Sequence, residues 1–253
     1  MTATTDPWKV VLVCIVMVAA AAIVYGVIRL GSPWSVPIAA IRAAAQLAAI
    51  SAILAVSMSR LWSSALVVLA MFIVAVVTAA GRSQASAGSR WLALSLAAGM
   101  TSVLPLLLAT GVVPLTGIAI VPVFGIVLGG TMTAVAVAAR RALDTLQIRS
   151  GEVEAALSLG MSEWDSRMEV MRRALSDALI PNLDQARTAG LVVLPGAFIG
   201  VLLSTGSALQ AGIVQVLVLI SLMLSQSCAV AVTGALIAYG KIVRQSQSPS
   251  AAV

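Results

Sequence analysis

The sequence contains no histidine and few charged residues of any kind. Charged residues make up 9% of its 253 residues, whereas apolar residues make up 60%. A soluble domain of this length cannot cover its surface with so little charge, so the composition excludes an ordinary soluble protein. The absence of histidine also removes the commonest general base and metal ligand, which argues against an enzyme.

Carboxylates are absent from most of the chain. None lies between Pro7 and Leu143, and eight of the nine acidic residues fall between Asp144 and Asp184. Residues 140–184 also contain six arginines. We therefore predict an apolar membrane body that carries one charged, water-facing insert over residues 140–184.

Cysteine and lysine are also scarce. Cys14 and Cys228 lie within apolar runs and are interpreted as small hydrophobic residues, not as a disulfide or a metal pair. The only lysines, Lys9 and Lys241, fit no phosphate-binding sequence of the form G-x-x-x-x-G-K-[ST]. The chain itself is therefore not expected to bind a nucleotide.

Long apolar runs dominate the rest of the sequence. A helix that crosses a hydrocarbon core of about 30 Å needs about 20 apolar residues, and these runs lack the alternation of barrel strands. Seven runs reach that length: 8–28, 36–58, 61–80, 91–111, 115–139, 185–204 and 211–239. We predict an all-α polytopic protein of the inner (plasma) membrane, in which residues 1–253 form a single transmembrane domain.

The basic residues indicate how the chain is oriented in the membrane. They cluster at the ends of the apolar runs, so the net charge of +6 is attributed to orientation and not to nucleic-acid binding. If the charged insert is cytoplasmic, only Lys9 and Arg60 face outward. The predicted topology has the N-terminus outside and the C-terminus inside.

Helix breakers interrupt two of the later runs. Pro122 and Gly125 lie in the fifth, and Pro195 and Gly196 lie in the sixth. Proline removes a backbone hydrogen bond and kinks a helix, and transporters often have interrupted helices at the substrate site. We take these residues as candidates for the transport pathway, with a kink needed only for packing as the equal alternative.

Arg42 and Gln46 are polar residues within the second run. They are four residues apart and so share one helix face. A charge at the centre of a span costs about 2.5–3.5 kcal/mol, but Arg42 is close enough to the predicted cytoplasmic end to extend to the lipid headgroups. The alternatives are an anchor to the carbonyls of a broken helix, or contact with an anionic group.

The charged insert has the pattern of two short helices. Apolar residues recur at spacings of three and four over residues 153–175, as on one face of an amphipathic helix. Gly160 is predicted to form the turn after the first helix, and Ser162 is predicted to cap the second. We expect this second helix to cover residues 163–179 and to end at Pro181.

The first of these two helices reads E-A-A-L-S-L-G. This sequence resembles the coupling helix of ABC transporter permeases, whose small alanines allow it to enter a cleft on an ATPase. An amphipathic helix that lies on lipid is the alternative. The candidate coupling residues are Glu154, Ala155, Ala156, Leu157, Gly160 and Met161.

Three further blocks resemble the FetB-type family of ABC permeases, which is implicated in the export of metals, chiefly iron, and includes plant relatives linked to aluminium tolerance. The resemblance covers about residues 36–240. The blocks are R-A-x-x-Q-L at 42–47, I-V-P-V-F-G-x-x-x-G-x-T-M at 120–132 and A-L-I-P-N-L-D-x-A-R-T-x-G-L-V-x-L-P-G at 178–196. The chain departs from the family pattern at Gly130, where the family usually has asparagine.

The resemblance implies a permease subunit that exports a metal ion such as iron. ATP and Mg²⁺ would bind to a separate ATPase subunit and not to this chain, and two copies of the chain would assemble with two ATPase subunits. Gln215 and Asp184 join the candidate pathway residues, although Asp184 is equally placed to pair with Arg187. No metal-binding site is predicted on the chain, because the runs contain no carboxylate or histidine.

Two other functional classes stay open. The chain could be a transporter or channel that works without an ATPase, or a membrane scaffold that transports nothing. An ion-coupled carrier normally has an ionisable group near the middle of the membrane, and the runs show none.

Overall fold

The chain is helical throughout the part that the structure describes. The computed structural model describes residues 6–29, 31–57, 61–111, 113 and 116–244. Within these ranges there are no β-strands, and a short 3-10 helix, Ser89–Trp91, precedes α4. The α-helices are α1 (Pro7–Val27), α2 (Ser35–Ser57), α3 (Leu61–Ser83), α4 (Leu92–Ala109), α5 (Gly117–Ile148), α6 (Ser150–Ser158), α7 (Glu163–Asp177), α8 (Ile180–Thr188), α9 (Gly196–Thr205) and α10 (Ala208–Ala238).

The lengths and composition of these helices confirm an all-α polytopic membrane protein. Among the described residues, five helical segments are long and apolar enough to cross a membrane, and they belong to α1, α3, α4, α5 and α10. Ser35–Ser51 of α2 and all of α9 are shorter apolar helices. The predicted total of seven spans and the outward N-terminus stay predictions, and Arg60 lies outside the described residues.

Two predicted spans differ from the helices that form. The fifth extends beyond residue 139 to Ile148, so α5 continues from the apolar body into the charged insert without a break. The sixth, predicted as a run over 185–204 with helix breakers at Pro195 and Gly196, is divided into α8 and α9. Residues 189–195 between them are not helical, and we call them the α8–α9 link. Pro195 favours the break because it cannot donate a backbone hydrogen bond inside a helix.

The helices group into two compact units. The first, Met1–Ser59, contains α1 and α2, which contact each other. The second, Arg60–Val253, contains α3 to α10. The single transmembrane domain expected over residues 1–253 stays a prediction.

Helix α5 is the centre of the second unit, where it contacts α3, α4, α7 and α10. Its buried positions include Ala134, Ala138 and Ala142, spaced four residues apart on one helix face. Apolar side chains gain little from leaving lipid for a protein interior, so membrane helices associate mainly through close van der Waals packing. The small alanines on α5 permit that close approach.

Three helices meet closely at Gly99 of α4, Thr131 of α5 and Ser225 of α10. The hydroxyl groups of Thr131 and Ser225 lie 2.7 Å apart and are buried, so each satisfies the other in an apolar setting. A methyl group added to Gly99 would lie 2.7 Å from the Ser225 carbonyl oxygen and 2.9 Å from Thr131 Cγ2. Only glycine fits at this crossing.

We expect Gly99→Ala to destabilise the folded chain by about 1–3 kcal/mol, because the added methyl group overpacks a closed contact. Gly129→Ala on α5 is the matched control, since nothing lies within 4 Å of the methyl group that it adds. Thermal unfolding in detergent should show a lower midpoint for Gly99→Ala alone. Equal midpoints for the two variants would contradict this account of the crossing.

Candidate functional site

Four of the predicted coupling residues lie on helix α6, and Gly160 and Met161 lie in the turn that follows it. Helix α6 is the most exposed helix of the charged insert. None of its residues is buried. Glu154, Ala155 and Leu157 are exposed, and Leu159, which follows the helix, has 86% of its surface exposed. Because alanine side chains are short, a partner can approach the backbone of α6 closely.

Gly160 ends α6 in the manner that its position predicts. It adopts φ +89°, a left-handed conformation that other residues adopt at a cost. The amide of Met161 donates to the Ala156 carbonyl at 3.1 Å, and the amide of Gly160 donates to the Leu157 carbonyl at 2.9 Å. These two bonds form a Schellman motif, which fixes the direction in which the chain leaves α6.

Helix α7 begins at the predicted cap. The Ser162 hydroxyl accepts a hydrogen bond from the Asp165 amide at 3.1 Å and donates one to the Asp165 carboxylate at 2.6 Å. Pro181 does not end this helix, as we predicted that it would. The helix ends at Asp177, and Pro181 lies in the first turn of α8, where the missing amide hydrogen costs nothing.

Helix α7 connects the insert to the apolar body. Val170, Met171, Ala174 and Leu175 are buried, and the helix contacts both α5 and α10. Gly234 of α10 makes room for Leu175, since a methyl group at Gly234 would lie 2.6 Å from Leu175 Cδ1. The insert is therefore packed rigidly onto two long apolar helices.

The chain after α10 attaches to the base of α3, α5 and α7, and we call residues 238–244 the C-terminal clasp. Arg244 pairs with Asp144 of α5 and donates to the carbonyl oxygens of Gln84 at 2.9 Å and Ser83 at 3.1 Å. Arg167 of α7 donates to the Ala238 carbonyl at 3.2 Å. The clasp thus joins the ends of four helices through two arginine side chains.

Most other charges of the insert form short-range pairs at the surface. Glu152 accepts a hydrogen bond from Arg149 at 2.6 Å, and this bond raises the pKa of Arg149 above its usual value. Asp184 pairs with Arg187 at 3.3 Å, which is one of the two roles that the sequence left open for Asp184. Exposed pairs of this kind add little stability, so the insert is held mainly by the packing of α7.

The breakers of the fifth and sixth spans lie in two different settings. Pro122 lines an apolar cavity of about 480 Å³ between α4, α5, α9 and α10, whereas Gly125 faces α3, where an added methyl group would lie 2.9 Å from Met71 Cε. Pro195 is the N-cap of α9, and Gly196 is its first residue. The structure therefore brings Pro122 and α9 to one cavity and gives Gly125 a packing role.

Three polar residues of the predicted pathway differ in burial. Arg42 and Gln46 are exposed on α2, and Arg42 forms no ion pair with any described residue. Gln215 on α10 is only 6% exposed, and its Oε1 atom accepts no hydrogen bond. An unpaired buried amide oxygen costs about 1–3 kcal/mol, so Gln215 does not stabilise the fold through this atom.

A metal site built from side chains is not found in the described part of the chain. No group of three or more cysteine, aspartate or glutamate residues is close enough to hold an ion there. The polar atoms buried among the long helices are hydroxyls and amides, including Thr131, Ser225 and Gln226.

Comparison with known proteins identifies the family. The model of the uncharacterised protein family UPF0014 matches residues 8–241. The chain belongs to UPF0014. This match, and the FetB-named relative described below, confirm the resemblance that the blocks at 120–132 and 178–196 predicted.

Relatives of this UPF0014 chain occur in plants and bacteria. It is 36% identical over 136 residues to the UPF0014 membrane protein STAR2 of Oryza sativa subsp. japonica, covering 54% of this chain and 48% of that protein. It is 30% identical over 161 residues to YjkA of Bacillus subtilis, covering 63% and 64% of the two chains. It is 27% identical over 139 residues to the probable iron export permease protein FetB of Escherichia coli, covering 55% and 53%. The chain thus spans about half the length of the first of these relatives, and no solved structure matches it.

Two features of this UPF0014 chain were not predicted from its sequence. The C-terminal clasp depends on Arg244 and Asp144, which are 100 residues apart and carry no local pattern. The buried hydroxyl pair of Thr131 and Ser225 is equally remote in sequence. Small polar residues that recur within apolar helices were the available signal for the second feature.

We expect Gly160→Ala to weaken the end of α6, because an alanine in the left-handed conformation costs about 1–2 kcal/mol. The backbone amides of residues 160 and 161 should exchange roughly fivefold faster or more in the variant than in wild type, since about 1 kcal/mol corresponds to that factor. Gly151→Ala is the matched control, because Gly151 is helical and has open space around it. Equal exchange in the two variants would mean that the turn does not depend on glycine.

Proposed function

We propose that this UPF0014 chain is the transmembrane permease subunit of an ABC transporter that exports a metal ion such as iron. ATP and Mg²⁺ bind to a separate ATPase subunit, and the energy of hydrolysis reaches the membrane helices through α6. The chain itself is a transport subunit and not an enzyme.

The observation that carries this proposal is the contrast between α6 and its neighbours. Helix α6 has no buried residue, whereas α7 is packed onto α5 and α10. Helix α5 runs without interruption from Gly117 to Ile148, directly before α6. A displacement of α6 is therefore transmitted to two long apolar helices, and this is the mechanical connection that an ATPase needs.

Exposed apolar residues beside α6 support a protein partner. Ile148 and Leu159, at the two ends of the helix, are among the most exposed large hydrophobic residues of the insert. Exposed apolar groups among charged ones are typical of interaction surfaces. The Glu154 carboxylate and the Arg149–Glu152 pair surround them with charges that can orient the partner.

Two observations support a metal cargo. They are the name of one relative and the presence of a neutral oxygen atom buried among the long helices. One relative, of Escherichia coli, is named a probable iron export permease. The side-chain oxygen of Gln215, buried on α10, accepts no hydrogen bond and offers a neutral ligand. A pathway of weak oxygen ligands allows an ion to leave as well as to bind.

The coupling role predicts that Ala155→Trp prevents the chain from binding its ATPase. The bulky ring would stop α6 from entering a narrow cleft, and we expect at least tenfold less ATPase to co-purify with the chain from detergent, a loss of about 1.4 kcal/mol or more. Ser176→Trp on the exposed side of α7 is the matched control and should bind normally. Normal binding by Ala155→Trp, or failure of every candidate ATPase to bind wild type, would refute the coupling role.

The transport role predicts ATP-driven movement of Fe²⁺ in vesicles that contain the chain and its ATPase. We expect Arg42→Ala to lower the flux about tenfold if Arg42 contacts an anionic group, because hydrogen bonds to charged groups contribute about 1.5–3 kcal/mol. Lys9→Ala is the control, since Lys9 pairs with Asp6 at 2.7 Å near the chain terminus. If ATP is hydrolysed but no metal moves, the cargo is not a metal ion.

A further inference from the structure

A small cleft opens between the end of α3 and α5, where the apolar body meets the charged insert. It has a volume of about 250 Å³. Its walls include Arg82 and Gln84 at the end of α3, and Thr133, Val137 and Arg140 of α5. Two of the described residues that line the cleft are arginines and none is acidic, so the cleft favours a ligand of negative charge.

The cleft lies at one end of two membrane-spanning helices that run in the same direction. A methyl group added to Gly117, at the start of α5, would meet Ser64 near the start of α3, whereas the cleft lies between the two helices at the end of α3. The α3 span, Trp62–Ser83, has 22 residues and is therefore about 33 Å long. Because a hydrocarbon core is about 30 Å thick, Arg82 at the end of this span lies at the level of the lipid headgroups.

The arginines at the cleft have too few acidic partners. Arg82 is exposed and forms no ion pair with any residue that the structure describes. Arg140 has only a long contact with Asp144, at 4.0 Å between Nε and Oδ2. The same carboxylate pairs with Arg244, which also donates to the Gln84 carbonyl at 2.9 Å. Three positive charges thus share one negative charge, which leaves a local charge of +2.

A phosphate group fits this arrangement of donors. The guanidinium group of arginine presents a planar fork of N–H donors that matches two phosphate oxygen atoms at once. The side-chain amide of Gln84 is a further donor at the exposed rim, whereas the Thr133 hydroxyl already donates to the Gly129 carbonyl at 3.1 Å. Basic clefts of this kind between membrane helices recognise the phosphate groups of anionic lipids.

An apolar surface continues from the cleft along α3. Val77 and Ile73 precede Gly81, which lines the cleft, by four and eight residues, and they are 66% and 54% exposed. Residues four apart lie one above the other on a helix, so this surface extends from the headgroup level into the hydrocarbon. A free phosphate ion would contact the polar groups alone, whereas a phospholipid also places an acyl chain on the apolar side chains. The surface therefore favours a lipid over a free anion.

We propose that the cleft between α3 and α5 binds the phosphate group of an anionic phospholipid, with Arg82 and Arg140 as its donors. The acyl chain lies along Val77 and Ile73. Because Asp144 and Arg244 also belong to the contacts of the C-terminal clasp, the bound headgroup adds to the attachment between the insert and the apolar body. This binding requires neither an ATPase nor a transported ion.

Native mass spectrometry of the full chain in detergent, titrated with phosphatidylglycerol, tests this site. We expect Arg82→Gln and Arg140→Gln each to bind the lipid about tenfold more weakly than wild type, because each loses a charge-assisted hydrogen bond. Arg141→Gln is the matched control, since it removes the same charge from the next position of α5 but lies outside the cleft. It should bind phosphatidylglycerol as wild type does. Phosphatidylcholine, which carries no net charge, should bind wild type more weakly.

Thermal unfolding of the same samples separates lipid binding from folding. Without lipid, Arg82→Gln should unfold at the wild-type temperature, since Arg82 has no ion pair to lose. Phosphatidylglycerol should raise the midpoint of wild type and Arg141→Gln but not that of Arg82→Gln.

Three results would overturn the proposal. Equal weakening by Arg141→Gln would mean that the lipid is attracted by general surface charge. Equal binding of phosphatidylcholine would mean that the charge of the headgroup is not recognised. Displacement of phosphatidylglycerol by an equal concentration of inorganic phosphate would mean that the cleft takes a free anion and that the apolar surface of α3 plays no part.

Discussion

Hydrocarbon cannot hydrogen-bond to a peptide group, and the architecture of this chain follows from that constraint. The long helices pair their peptide groups through internal hydrogen bonds. Their association with one another must then be achieved with very few charged side chains. Small residues do this by allowing close contact, as at Gly99, where α4 approaches the backbone of α10. The buried hydroxyl groups of Thr131 and Ser225 pair with each other, whereas the buried Oε1 atom of Gln215 has no hydrogen-bond partner.

The charge that the apolar body lacks is concentrated where it can fix helix ends. Arg244 and Arg167 each contact carbonyl oxygens at the end of a helix, where unsatisfied carbonyls carry partial negative charge. The C-terminal clasp therefore ties α10 to α7 and to the base of α3 and α5. Because the insert and the apolar helices are joined in this way and through the packing of α7, they are expected to move as a unit. Such a unit can transmit a displacement without a separate hinge.

Local signals account for most of what the sequence predicted correctly. Apolar runs predicted the long helices, and the turn at Gly160 and the cap at Ser162 followed from residues within a few positions of each other. Predictions failed where a proline admits two interpretations. Pro181 starts a helix when it was expected to end one, whereas Pro195 stands at the break that was one of the two interpretations offered for it. Contacts between distant parts of the chain, such as the pair of Arg244 and Asp144, have no local pattern and could not be predicted.

If the proposed export of a metal ion is correct, the scarcity of metal ligands among the apolar helices has a physical reason. A site built from several carboxylates or thiolates would hold an iron ion tightly, and a permease that binds its cargo tightly must spend more energy to release it. Neutral hydroxyl and amide oxygens bind an ion more weakly and impose a smaller barrier to its release. Under the proposed function, the Gln215 oxygen, which accepts no hydrogen bond from the chain, is a candidate for such a weak ligand.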